Sequence, residues 1–423
     1  MKFSKSFALM TGALLALSGT AFAKDALDTM KQFKVATTDL NLPTVPQEGR
    51  NADAIRANLE KVNLPPGFKI ELYAVVPDAR HMAVAPSTNM LFVGTRKTTV
   101  WAVTDRNGDN YADEVKSFAP SLDFKVPNAV CWTKDGFLIV VEHNRVLNFP
   151  AAEFFYEGPD VAVIEVVPQG GLIPVSEESF NHGARTCEVG PDGMLYVTLG
   201  QPFNVQPKDK IEMYDEVGIG GVIRLNPFDG SGREVYSRGA RNPVGIGFNP
   251  ADGTLWWTDN QVDGLGDDVP PGELNRATTV GEHFGFPYWN GDYKVAGSGA
   301  APELADMAEP ANAVFPQVNF PAHQAQLGMT FNTGKQFPSK YEGGIFVAAH
   351  GSWNRTEPSG ALINFIPVNA DGTAGQSEVF ADGWLDETGI YKGRPVDVAM
   401  MKDGSMLVSD DYVGAIYRIS YGN

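Results

Sequence analysis

Asn181-His182-Gly183-Ala184-Arg185 sets a histidine beside a glycine, just ahead of an apolar run. Imidazole changes charge near neutral pH and can take a proton from a hydroxyl, so His182 is a candidate general base. The other histidines are His81, His143, His283, His323 and His350, and the ordinary reading of any one is a hydrogen-bonded surface or core residue. Four cations stand beside glycines and near the ends of apolar runs: Arg241, Lys335, Arg355 and Arg394. Cations turned to one face of an acidic protein would receive an anionic ligand; scattered surface charge is the alternative. Acidic groups gather in two places. Asp105, Asn107, Asp109 and Asp113 alternate as the oxygen ligands of an EF-hand-like Ca²⁺ loop do, although Lys116 replaces the closing Glu. A solvated acidic turn fits that stretch equally. The second place is the loop holding Asp259, Asp263, Asp267, Asp268 and Glu273, broken by glycines and by Pro270-Pro271. It is too polar and too interrupted for core, and loops between strands are where functional side chains concentrate.

What must position these groups is a repeat. Met90-Leu91-Phe92-Val93, Phe137-Leu138-Ile139-Val140, Met194-Leu195-Tyr196-Val197, Thr254-Leu255-Trp256-Trp257, Gly344-Ile345-Phe346-Val347 and Ser405-Met406-Leu407-Val408 are short, mostly apolar runs. Asp-Gly turns precede four of them, at Asp135-Gly136, Asp192-Gly193, Asp252-Gly253 and Asp403-Gly404. Such units, recurring at tens of residues with strand character throughout, predict an all-β fold, a six-bladed β-propeller. A pair of β-sandwiches is the alternative, and it leaves the six units without a common centre. Residues 276–316, in the widest gap between runs, read as an inserted loop region decorating one end. The terminal run Ala415-Ile416-Tyr417-Arg418-Ile419 alternates as a strand does, and Ile70 to Val75 is its candidate partner in closing the ring.

The start of the chain reads differently. Lys2 and Lys5, the apolar stretch Phe7 to Leu17 and Ala21-Phe22-Ala23 form a secretory leader, which places the mature start at Lys24 and the protein in a bacterial periplasm. Residues 24–64 read as an N-terminal arm, with one short helix from Ala54 to Val62 on the spacing of Ile55, Leu59 and Val62. Residues 65–423 make the propeller. No later segment is long and apolar enough to span a membrane. The net charge of -18 argues against nucleic acid as a partner. Cys131 and Cys187 could form one disulfide or stay separate buried thiols; their positions near expected strands weigh toward the second.

An ordered set of motifs then resembles a known family. His182-Gly-x-Arg before Gly190-Pro191-Asp192-Gly193 comes first, then Gly239-x-Arg241-Asn242-Pro243-x-Gly245, then Gly266-Asp267-Asp268-x-Pro270-Pro271-x-Glu273-Leu274-Asn275. These resemble the pyrroloquinoline quinone (PQQ)-dependent soluble sugar dehydrogenases. His283-Phe284-Gly285-Phe286-Pro287-Tyr288, His350-Gly351-Ser352-Trp353-Asn354-Arg355 and Gly393-Arg394-Pro395-Val396 resemble their L-sorbosone dehydrogenase branch. The resemblance runs from about Leu64 to the C-terminus, and the family's fold is a six-bladed propeller. It implies PQQ and Ca²⁺ as cofactors, His182 as base and Arg241 as stabiliser of charge on the quinone oxygens. It implies Asn242 along that edge, and Lys335, Arg355 and Arg394 on the cofactor carboxylates. The Ca²⁺ would be held by the backbone carbonyls of Gln261 and Val262, with Glu273 and Asp268 supporting that loop or a second ion.

The chain also departs from the family. Glucose-oxidising relatives carry two arginines one residue apart near Arg394, where this chain offers only Lys392, and their cofactor lysine falls near Thr333. The substrate implied is therefore an aldose or sugar aldehyde rather than glucose in particular. A separate acceptor, a cytochrome or a quinone, would take the electrons, because neither a haem-attachment motif nor a Rossmann fingerprint is present. A Ca²⁺-dependent propeller lactonase and a non-catalytic binding propeller are the competing readings, since fold alone does not fix function.

Overall fold

A computed structural model of the chain describes residues 33–37, 42–157 and 160–422. The leader expected over residues 1–23 lies outside the described residues. Among them the chain forms a six-bladed β-propeller, as the repeat predicts. The first blade is Met82–Val84, Leu91–Val93, Val100–Thr104 and Glu114–Phe118, in simple antiparallel order. The sixth takes Pro395–Met400, Met406–Asp410 and Ala415–Tyr421 from the end of the chain and Phe68–Val75 from its beginning. Ile70 lies opposite Ile419 in that closing pair, where the sequence places it.

All six apolar runs fall on the second strand of a blade: Leu91–Val93, Leu138–Val141, Leu195–Leu199, Leu255–Asp259, Ile345–Ala349 and Met406–Asp410. They are apolar at nearly every position because a blade is covered on both faces. Trp256 packs into the core shared with the fifth blade, against Phe331 and Ile345, while its neighbour Trp257 packs toward the third, against Tyr196 and Val222. Six such inter-blade cores close the ring, and no blade has to bury its faces alone.

The Asp-Gly signal has a local cause. Asp192, Asp252 and Asp403 each accept a hydrogen bond through Oδ1 from the N–H two residues on, at 3.0, 2.9 and 2.9 Å. The following Gly193, Gly253 and Gly404 hold φ of 81, 72 and 85°, a range that costs a glycine little. These turns join first strand to second strand within a blade, so all lie at one end of the propeller.

Several details depart from the sequence reading. Cys131 and Cys187 are bonded, with Cα atoms 6.0 Å apart, which corrects the reading as separate thiols. They sit on the innermost strands of the second and third blades, neighbours in the ring though 56 residues apart in sequence. The N-terminal helix is Arg50–Leu59, starting earlier than expected; Ala52, Ile55 and Leu59 form its buried face in the core between the fifth and sixth blades. Phe33–Thr37 adds a fifth strand to the second blade by pairing with Asp160–Val167. Residues 276–316 hold a two-stranded hairpin, Trp289–Asn290 with Tyr293–Lys294, and a small core of their own with Phe286, Tyr288, Val295 and Leu304. Val262 is part of that core, so the insertion buttresses the loop at the far end from the Asp-Gly turns. Among the described residues, no helix is long and apolar enough to cross a membrane.

Candidate active site

An antiparallel blade puts the start of its first strand and the end of its second at the same end, opposite the Asp-Gly turns. At this entrance end the blades surround a cavity of about 870 Å³. Its walls come from segments just ahead of first strands (Arg80, His182, Arg241, Asn242, Ala325) and just after second strands (Arg96, Asn260, Gln261, His350). Trp353 and Phe203 stand at its wall, and Trp353 is 76% exposed.

His182 is held in one tautomer. Its Nδ1 lies 2.6 Å from the backbone oxygen of Gln201, which can only accept, so Nδ1 carries the proton and Nε2 keeps its lone pair. Burial, reinforced by the charge of Arg241, pushes its pKa down to about 3, so the ring is neutral at working pH. The backbone of His182 is left-handed, with φ of 55°, a conformation non-glycine residues adopt at a cost. Gly200 makes room for it: a Cβ there would lie 2.6 Å from the His182 oxygen and from Asn242 Oδ1.

Arg241 is buried and braced. Its side chain donates to Asn204 O and Asn204 Oδ1, both at 2.8 Å, to Asp263 Oδ2 at 3.0 Å and to Asn260 O at 3.3 Å. Four of its five N–H groups are thus taken, and its charge remains in the wall beside His182. Asp259 aligns this corner by accepting the N–H of Arg241 at 2.8 Å and of Asn242 at 2.6 Å. Glu273 lies directly across the sheet from Asp259, and burial with mutual repulsion raises the Asp259 carboxyl well above the usual range. Glu273 accepts from Asn290 Nδ2 at 2.7 Å, and Asn290 Oδ1 in turn holds the N–H of Val262 at 2.8 Å, so Glu273 supports the Gln261-Val262 loop from behind. His323 joins the same loop, its Nε2 2.8 Å from Gly266 O and its Nδ1 3.0 Å from Gln261 Nε2.

Residues 62–422 match the family model described as TrAA12-like. The chain belongs to this family. Among its relatives is an uncharacterized protein of Borreliella burgdorferi, 34% identical over 253 residues, covering 59% of this chain and 63% of the relative. A PQQ-dependent pyranose dehydrogenase of Coprinopsis cinerea is 28% identical over 279 residues, covering 55% of this chain and 37% of the relative. The chain thus spans less than two thirds of the length of either relative. A carbohydrate-active enzyme of family AA12 from Trichoderma reesei superposes with a TM-score of 0.68 at 20% identity, over 86% of this chain and 98% of that one, a likeness of fold.

In this TrAA12-like chain the expected site residues divide. His182, Arg241, Asn242 and Gln261 line the cavity, and Val262 lies buried behind it. Lys335 does not reach it: it follows the first strand of the fifth blade and stands at the turn end, beside Thr333 and Lys402. Neither Lys335 nor Thr333 can therefore hold a ligand of this cavity. Arg355 and Arg394 are at the entrance end but behind its wall. Arg355 donates to Asp267 O and Glu357 O, and pairs with the exposed Asp268 at 3.5 Å, bracing that loop. Arg394 donates to His350 O at 3.0 Å and to Gly351 O, over the ring of Tyr391.

Of the two readings of the Asp105–Asp113 loop, the hydrogen bonds give the acidic turn. Asp105 accepts the N–H groups of Gly108 and Asn110, Asp109 that of Tyr111, and Asp113 those of Arg106 and Asn107, so the loop closes on itself as an acidic turn. It joins the outer strands of the first blade at the turn end, far from the cavity. Among the described residues, no group of three or more His, Cys, Asp and Glu could hold a metal ion. The sequence reading missed Arg80, Arg96, Asn204, His323 and the His350–Asp411 pair, whose Nε2–Oδ1 distance is 2.8 Å. The signal available was position: Arg80 and Arg96 occupy in the first blade the flanks that Arg241 and Gln261 occupy in the fourth.

Proposed function

We propose that this chain is a PQQ- and Ca²⁺-dependent dehydrogenase of an aldose or sugar aldehyde, sorbosone-like in class. The observation that carries the reading is a neutral histidine, tautomer fixed, with its Nε2 lone pair free beside a braced buried arginine in a cavity large enough for cofactor and sugar. The Coprinopsis cinerea relative, named as PQQ-dependent and acting on pyranose, supports the cofactor and substrate class.

The residues present fit both groups. Arg80, Arg96 and Arg241 line the cavity of a chain whose net charge is -18, as an anionic cofactor requires. Asn260 Oδ1, Gln261 Oε1 and Asn354 Oδ1 are buried without a donor, an oxygen-rich, donor-poor wall suited to a hard cation. Gln261 and Val262 would hold the Ca²⁺ through their carbonyls, and Glu273 would keep that loop in place. Bound PQQ would supply the hydride acceptor and bound Ca²⁺ a Lewis acid. His182 takes the substrate hydroxyl proton at Nε2 while Gln201 O keeps the ring oriented through Nδ1. Arg241 offsets negative charge that develops beside it, and Asp259 holds Arg241 and Asn242 in register for that task. Electrons pass to a separate acceptor, a cytochrome or a quinone.

The reading includes a periplasmic location after removal of residues 1–23, an arm over 24–64 and a catalytic propeller over 65–423. The Cys131–Cys187 bond supports an oxidising compartment. Nothing among the described residues favours the lactonase alternative, which needs carboxylates converging on one metal. The test is dye reduction by metal-stripped mature protein given PQQ and excess Ca²⁺, over a panel of aldoses and sorbosone. Activity that saturates with PQQ supports the proposal and identifies the sugar class. No turnover of any member, with PQQ bound, would contradict it.

A further inference from the structure

One cation of the cavity has no directly paired carboxylate among the described residues. Arg80 donates to Asn128 Oδ1 at 2.9 Å and pairs with Asp411. Arg241 is braced as described. The guanidinium of Arg96, which lines the same cavity, makes no hydrogen bond or ion pair among the described residues; only its backbone N–H is used, on Asp78 Oδ2 at 3.1 Å. That Asp78 carboxylate faces Lys97, at 3.8 Å. The guanidinium of Arg96 lies 4.7 Å from the ring centre of Phe180, which is 72% exposed and comes from the loop ahead of the third blade. Arg96 is thus a half-buried, always-charged fork, flattened against an aromatic ring and left with its N–H edge open to the cavity. Burying such a group without a hydrogen-bonded counter-ion is costly: Arg80 next to it adds repulsion, which Asp411 and Asp78, paired with Arg80 and Lys97, offset from a distance. A planar fork of donors matches a carboxylate in two parallel hydrogen bonds.

We infer that Arg96, backed by Phe180, receives a carboxylate inside the cavity. Two sources share that chemistry: a carboxylate of the bound quinone cofactor, or that of an acidic sugar substrate. The first rests on the dehydrogenase reading above; the site itself does not. It also accounts for a cavity that Lys335 cannot reach and from whose wall Arg355 and Arg394 are turned back.

The experiment compares wild type, Arg96→Gln and Arg96→Lys, each first shown to melt at the same temperature without ligand. PQQ is titrated in excess Ca²⁺ by quenching of tryptophan fluorescence. For a cofactor carboxylate, Arg96→Gln raises Kd by about 10- to 100-fold, and Arg96→Lys, which keeps charge but loses the fork, falls between. For a substrate carboxylate, the PQQ Kd is unchanged, and KM for glucuronate rises at least about tenfold while that for glucose does not. Both arms flat would overturn the inference. If wild type does not bind PQQ, the dehydrogenase reading fails, and thermal melting in citrate decides the site. A rise in Tm for wild type that Arg96→Gln lacks supports it, and an equal or absent rise in both overturns it.

Discussion

The two ends of the propeller are built on opposite plans. At the turn end, one chemistry recurs in the third, fourth and sixth blades: an Asp side chain accepts the N–H two residues on, and a glycine takes a positive φ. At the entrance end, the segments that line the cavity differ from blade to blade: Arg80 and Arg96 flank the first, His182 the third, Arg241 and Gln261 the fourth, Ala325 and His350 the fifth. Repetition serves the ring, because each blade must turn back from its first strand to its second. Divergence serves the cavity, because a base, cations and amide oxygens must come from different blades. The turn end should therefore govern stability and the entrance end activity.

The largest expected effect is at the base. His182→Ala should lower kcat by about 10²- to 10⁴-fold while the melting temperature stays close to wild type. Gly200→Ala probes the same corner through the backbone: a Cβ 2.6 Å from Asn242 Oδ1 must displace His182 or Asn242, and kcat/KM should fall on the order of 10²-fold. Wild-type activity in Gly200→Ala would show that the corner adapts. Replacing Cys131 and Cys187 together by serine should remove about 2–4 kcal/mol in urea unfolding and leave kcat within about twofold. Gly253→Ala, at φ 72° in a turn-end hairpin, should remove about 1 kcal/mol and leave the kinetics unchanged. A loss of activity there would break the division between the ends. The smallest effect is an absence of titration. Because burial depresses the His182 pKa to about 3, its imidazole should stay unprotonated as pH falls from 8 to about 5, through the range where a free histidine gains its proton. Proton NMR of the cofactor-free protein reads this directly.

Most of the ring was legible in the sequence, because hairpins are local. Asp252 and Gly253 act on neighbours a few residues away, and Trp256-Trp257 shows a strand buried on both faces without any knowledge of what covers it. The closing strand was legible because Ile70 and Ile419 stand on alternating stretches at the two chain ends. The cavity was legible only where a residue sat in a distinctive local context, as His182 and Arg241 do beside their glycines. Arg96 has a glycine two residues ahead as Arg241 does, but its meaning depends on Phe180, Arg80 and Asp411, which the ring alone brings near. Lys335 was misread for the converse reason: a glycine neighbour marks both ends of a blade, and only topology separates them. The Cys131–Cys187 bond depends on two innermost strands becoming neighbours, which no local pattern reports.

The ligand chemistry is assigned to the entrance end. The most direct test is an absorbance titration with PQQ in excess Ca²⁺ of wild type, Arg241→Gln at the entrance end and Lys335→Gln at the turn end. Saturable binding is expected of wild type and of Lys335→Gln alike, and weakened binding of Arg241→Gln. Loss of binding in Lys335→Gln with Arg241→Gln intact, or no binding by wild type, would contradict it.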